Sequence, residues 1–269
     1  MLFDRRAQLL VTTPRAGDNT VDLSALRFAF RCNASKQREP NAAEVTIYNA
    51  ADQTIQNLQT RGAVVNIFAG YASTPALALL FHGDITYSTS RWEGTDRVTK
   101  LVLGDGARVL RDGFVSLSLA PGTSHGQALR VVCKRLGLPV PDGVDALTTQ
   151  PPGGITLHGR ATQVFDRLAR GAWSIQRGKL VVSARQDTAR AIVVNENAGL
   201  LDTPEYTRAQ GKEGAKVAFK TLLFAQLQPG EVVRLESATH TGFVRVASVT
   251  HEGDTGGTTW HTTVEGTPL

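Results

Sequence analysis

Two cysteines in 269 residues are too few for a disulfide scaffold. Cys32 and Cys133 lie far apart, in stretches that read as a strand and a helix, and neither has a neighbour at metal-binding spacing; both are expected to be reduced and structural. The apolar run of about eighteen residues that a membrane-spanning helix needs is missing, so no stable membrane insertion is expected. The opening Met1-Leu2-Phe3-Asp4-Arg5-Arg6-Ala7-Gln8 has no apolar core and small-residue cleavage site, which predicts synthesis and folding in a cytoplasm. Lys and Arg outnumber Asp and Glu, 29 to 24, without a concentrated basic run. The densest groups are Arg5-Arg6, Arg130 with Lys134 and Arg135, and Arg160 with Arg167 and Arg170. No aromatic residues interleave with them, which argues against specific nucleic-acid recognition.

Signatures of catalysis are also scarce. Ser124-His125 opens a helix, where adjacent residues do not form a serine–histidine pair. Gly104-Asp105-Gly106-Ala107-Arg108 resembles a truncated phosphate-binding turn but lacks a third glycine and the Gly-Lys-Ser/Thr ending. His251, Glu252, Asp254 and His261 surround one hairpin, yet strand residues alternate in direction and Glu252 to Asp254 read as a glycine turn, so a metal site is not expected. His82-Gly83-Asp84 reads as a counterpart of His251-Glu252-Gly253-Asp254 at a structural turn. Glu93, Asp96, Asp105 and Asp112 are the acids available to a muramidase-like cleft, and they fall in turns and strand ends. Trp92, Trp173 and Trp260 are dispersed, as core or interface anchors are. The expectation is a protein without cofactor, metal or enzymatic activity.

What the sequence does contain is one β pattern stated twice, about 170 residues apart. Ala43 to Asn49 alternates, then passes through a connector and a glycine turn into Val64-Val65-Asn66-Ile67. Ala215 to Lys220 alternates likewise, then passes through Pro229-Gly230 into Val232-Val233-Arg234-Leu235. Further strands are predicted at 7–12, 26–32, 78–90, 96–103, 191–195, 243–251 and 258–265, with a turn cluster from Thr13 to Asn19. A short helical connector runs from Gln53 to Gln59. Between the two β regions, Ser124 and Gln127 form a capping box ahead of an amphipathic helix ending near Gly137. A strand at 155–158, a second helix near 162–170 and a hairpin across Arg177-Gly178 follow. The fold class is therefore mainly β with a small α/β insert: 1–112 as a first β module, 113–190 as the insert and 191–269 as a second module.

Val65-Asn66-Ile67-Phe68-Ala69-Gly70-Tyr71 followed by Leu80-Phe81-His82-Gly83-Asp84-Ile85 resembles the first tube-like barrel of baseplate hub proteins of tailed phages. Gly122-Thr123 through Leu136-Gly137-Leu138, Gly159 to Phe165 and Ile175 to Leu180 resemble that family's insert. Gly199 to Glu205 and Gly242-Phe243-Val244-Arg245-Val246 through Trp260 resemble its second barrel. Leu222 to Leu227 departs from the family's proline-containing connector. The resemblance implies two similar tube-like barrels per chain and a homotrimer that forms a pseudo-sixfold ring. It further implies as partners a tail tube or distal tail protein, a central spike protein, other baseplate proteins and a tape measure protein, in a virion tail assembled in the host cytoplasm. Arg61, Val64, Val65, Ile67, Val232, Val233, Arg234 and Leu235, on the best-matched repeat strands, are the expected interface. Two alternatives stay open: the hub of a contractile injection or type VI system, whose hub is usually fused to a spike whereas this chain ends at Leu269 without β-helix repeats, and a tail-associated cell-wall hydrolase.

Overall fold

The computed structural model describes residues 4–14, 19–36, 39–73, 76–182, 191–207 and 215–269. Most of the predicted turn at 13–19 lies outside them, as does Ser183, at which the hairpin predicted across Arg177-Gly178 is expected to end. The chain is mainly β and divides into two compact units. One comprises Met1–Lys36, Ala42–Leu103 and Gln186–Leu269; the other comprises Gln37–Asn41 and Gly104–Arg185.

The larger unit is built on a 13-stranded sheet. Its first module contains β1 (Arg5–Thr13), β2 (Asn19–Asp22), β3 (Phe28–Ser35), β4 (Ala42–Tyr48), helix α1 (Asp52–Leu58), β5 (Val64–Tyr71), β6 (Ala78–Glu93) and β7 (Asp96–Gly104). In β4 and β5 every second side chain is buried, which is the period-two pattern of a strand with one face on a core. Ile55 and Leu58 turn the apolar side of α1 into the same core.

In the smaller unit, α2 (Ala107–Asp112) is followed by β8 (Phe114–Leu119), α3 (His125–Arg135), β9 (Ile155–Arg160), α4 (Ala161–Ala169), β10 (Trp173–Gln176) and β11 (Lys179–Val182). The capping box is present: the Gln127 amide donates to Ser124 Oγ at 3.2 Å, and the Ser124 amide donates to Gln127 Oε1 at 2.9 Å. Arg177 and Gly178 both have positive φ, 54° and 77°, the turn geometry that a two-residue hairpin requires between β10 and β11. Leu129, Val132, Phe165, Leu168 and Trp173 fill the core of this unit. Burial there pushes the Cys133 thiol up to about 12, so it is a packing residue and not a nucleophile.

The second module consists of β12 (Ile192–Val194), β13 (Glu205–Thr207), β14 (Lys216–Leu222), β15 (Val232–Glu236), β16 (Thr241–Asp254) and β17 (Trp260–Pro268). Its strand order restates the first. Reading across the sheet, β3-β4-β7-β6-β5-β1 has the counterpart β13-β14-β17-β16-β15-β12. One difference is that β1 pairs antiparallel with β5 while β12 runs parallel to β15.

The modules meet along β16. Residues 241–245 of this strand pair with β15, and residues 248–254 continue past it to pair with β3 of the first module. A register shift between Val246 and Ser248 marks the handover. The strand thus extends through Glu252, Gly253 and Asp254, where the sequence suggested a turn; β3 alongside supplies the ladder partners that keep them extended. The connector between β14 and β15 adds a second contact, with Leu223 and Ala225 in the first module's core and the Leu223 amide donating to the Tyr71 hydroxyl at 3.1 Å.

Candidate assembly surface

The valine-rich strands singled out by the sequence turn Val65, Ile67, Val233 and Leu235 into the cores, while Val232 is buried on the opposite face of β15. Val64 is half-buried on the opposite face, Arg61 is exposed in the turn before β5, and Arg234 faces outward, paired with Glu236 at 2.9 Å. β5 is flanked by β1 and β6, and β15 by β12 and β16. With both edges occupied, these strands can meet a neighbour through Arg61, Val64 and Arg234 but not through backbone pairing.

Unfilled edges occur elsewhere in the sheet. β13 stands last in the strand order, bonded to β14 alone among the described residues. β6 pairs with β5 from Ala78 to Asp84, and the rest of the strand, to Glu93, runs beyond the end of β5. Exposed aromatics mark both places: Tyr87 at 59%, Trp92 at 69% and Tyr206 at 51%. Periodicity alone did not reveal them, because it reports which face a side chain takes and not whether a strand edge has a partner.

The residues considered for chemistry are engaged separately. His251 is buried and hydrogen-bonds Thr262 Oγ1 at 2.8 Å, whereas Glu252 lies on the other face, near His261 at 3.0 Å and Arg31 at 3.6 Å. His82, which the sequence paired with His251, occupies the β5-bonded half of β6, while His251 occupies the β3-bonded half of β16; the two positions are not equivalent. Burial holds His82 below the usual imidazole range.

In the Gly104–Arg108 turn, Asp105 is buried and accepts the Gly178 amide at 2.7 Å, and a Cβ on Gly106 would lie 2.6 Å from Ile175 Cδ1. An inward carboxylate packed this tightly opposes a phosphate. Beside it, Asn41 Nδ2 donates to the Ile175 carbonyl at 2.8 Å and to Gln176 Oε1 at 3.0 Å, so the turn joins the fold of its own unit. Of the other acids, Glu93 pairs with Arg91, Asp96 accepts from Asn49, and Asp112 pairs with Arg111.

Asp254 receives Arg27 Nη2 at 2.9 Å and Nε at 3.3 Å, and this hydrogen bonding holds its carboxyl below the ordinary range. A lowered folded-state value means that the carboxylate stabilises the fold above the unfolded-state value and stops doing so as pH falls through the folded one. Asp254→Asn is therefore expected to cost up to about 1 kcal/mol at neutral pH and almost nothing at about pH 2, because Arg27 is half-exposed. Thermal melts of both proteins across that range test this; a constant difference at every pH would refute it. A cleft beside this pair is lined in part by Arg5, Gln8, Asp22 and Trp260, and the first three hydrogen-bond to neighbouring protein groups. Arg5 donates to the Thr258 carbonyl at 2.9 Å, and Asp22 accepts from Ser24.

No family model matches this sequence, and no curated protein matches it either. Solved structures do match. The 43 kDa tail protein of prophage MuSo2 from Shewanella oneidensis superposes with a TM-score of 0.67 at 9% identity, over 97% of this chain and 98% of that one. The chain has the fold of phage tail proteins. A tail protein from Neisseria meningitidis MC58 shares this tail-protein fold at a TM-score of 0.64 and 11% identity, covering 97% and 96% of the two chains. So does an E. coli type VI secretion component, described as structurally similar to the T4 tail proteins gp27 and gp5, with a TM-score of 0.61, 11% identity and coverage of 90% and 73%. The fold expected from the sequence resemblance and the fold found by superposition agree.

Proposed function

We propose that the chain is a structural hub of a phage tail baseplate. Three copies, each with two similar tube-like modules, form a pseudo-sixfold ring that matches a hexameric tail tube on one face and a trimeric central spike on the other. The observation that carries this reading is the repeated strand order, β3-β4-β7-β6-β5-β1 against β13-β14-β17-β16-β15-β12. Duplicating a module inside one chain lets a threefold assembly present six similar surfaces, which is what joining threefold and sixfold partners demands. Adjoining partners would be a tail tube or distal tail protein, the spike, other baseplate proteins and a tape measure protein, and the site of action a virion tail. The role is mechanical, with no bond made or broken.

The type VI component among the structural matches supports a second reading, a hub in a contractile injection system. Light scattering on the purified chain tests what both readings share: the expected mass is three times that of the chain. A strict monomer with lytic activity on peptidoglycan would replace both with the cell-wall hydrolase alternative.

A further inference from the structure

The chain contains one complete module-to-module junction and the two unmatched halves of another. In the complete junction, the far half of β16 pairs with β3, Ser248 to Asp254 opposite Ser35 to Ala29. By strand order β6 is the counterpart of β16, and β13 is the counterpart of β3. The far half of β6 has no partner on this edge among the described residues, and neither has the outer edge of β13. Each chain therefore has one half-junction of each kind.

Burial shows the same asymmetry. In the far half of β16, Val249, His251 and Gly253 are buried in alternation beneath the other module. Aligning the two strands by their pairing with β5 and β15 puts Ser88, Ser90 and Trp92 at those positions, and Trp92 is left in solvent. In the complete junction Phe30 lies opposite Gly253 and packs edge-on against Trp260, ring centroids 5.8 Å apart. Carrying that register across, Tyr206 takes the place of Phe30 and faces Trp92, with Thr207 opposite Arg91 and Glu205 opposite Glu93. Two exposed aromatic rings on two open edges thus become a cross-strand pair. The carboxylate facing Glu205 keeps its own counterion, since Glu93 is bonded to Arg91 at 2.6 Å.

We propose that residues 91–93 of β6 in one copy pair antiparallel with Glu205–Thr207 of β13 in the next, repeating between chains the β16–β3 junction found within the chain. The occupant is a second copy because the two open edges are complementary halves of a junction that this sequence already builds. The contact is heterologous, so successive copies form a ring when the rotation closes. Closure at three rests on the hub reading; the strand pairing does not.

Arg91→Cys and Thr207→Cys test it, because residues directly opposite on antiparallel strands have Cβ atoms about 4.5–5.5 Å apart, within reach of a disulfide after small adjustment. The native cysteines are buried and do not compete. Under mild oxidation the double variant is expected to give covalent species ending at a trimer, an equimolar mixture of the single variants only a covalent dimer, and each single variant alone none. Trp92→Lys with Tyr206→Lys, at positions exposed in the single chain, should keep the fold by circular dichroism and weaken association by about 30-fold or more. A trimer by light scattering that neither cross-links at these sites nor loosens with the lysines overturns the edge pairing and leaves the hub reading intact. Cross-linking that runs on past three chains supports the pairing and overturns the hub reading. Cross-links from a single variant alone show like edges meeting, and a chain monomeric throughout the micromolar range shows no self-pairing; either refutes the proposal.

Discussion

Phe165→Ala is expected to unfold the insert at a temperature at which the β-sheet unit is still folded. Phe165 lies on α4 with no exposure and packs edge-on against Trp173, ring centroids 5.1 Å apart. Trp173 cannot swing into the vacated space without losing the hydrogen bond from its Nε1 to Asp166, 2.8 Å long. Neighbours such as Val132, Leu129 and Val164 sit on helices whose backbones are fixed by their own hydrogen bonds, so the cavity persists. The expected loss is about 3–5 kcal/mol, a large part of the total stability of a unit this small. Scanning calorimetry with near-ultraviolet circular dichroism provides the check. A single transition that moves as a whole would show that the two units do not melt separately.

The second large effect is expected at Gly253, where alanine should destabilise the β unit by about 1–3 kcal/mol. In an open strand the same change is stabilising by about 0.5–1 kcal/mol, because glycine loses more backbone entropy on folding. Here the sign reverses because an added Cβ would lie 2.4 Å from Phe30 Cζ and 2.9 Å from Trp260 Cε3. Both rings are buried and brace one another, so neither can give way alone. Combining Gly253→Ala with Phe30→Leu should cost less than the sum of the two single changes, since the smaller side chain vacates the contested space. Urea unfolding of the four proteins gives the coupling energy, and strict additivity would contradict the steric account. By contrast, Trp92→Ala is expected to change the stability of the single chain by less than about 0.5 kcal/mol, because its ring is largely in water.

Those two sites also show what a sequence can and cannot reveal. The strands around Val65 and Val217 were legible because one face is buried and the other is not, and the start of α3 was legible because Ser124 and Gln127 satisfy local backbone groups. β2 and β13 were not, because Asn-Thr-Val-Asp and Glu-Tyr-Thr have little alternation and are extended through pairing with distant strands. The short helix α2 has no fully buried residue and so no apolar stripe to read. At the candidate surface, Val65 and Val233, which help to make β5 and β15 conspicuous, belong to the cores. Trp92 and Tyr206 stand out only once the sheet order shows what is missing beside them.

The junction between β3 and β16 also sets a timetable for synthesis. β3 ends at Ser35 and β16 begins at Thr241, so a ribosome adding about 5–20 residues per second takes roughly 10–40 s to supply the partner strand. For that interval the nascent chain holds out the edge that β16 will later cover. Finished copies whose β6 edges pair as proposed above would compete for it, and capture would yield a tangled pair of chains. Gly253 leaves room for Phe30 that a larger side chain at that position would take, which fits β16 to the edge it is made to cover.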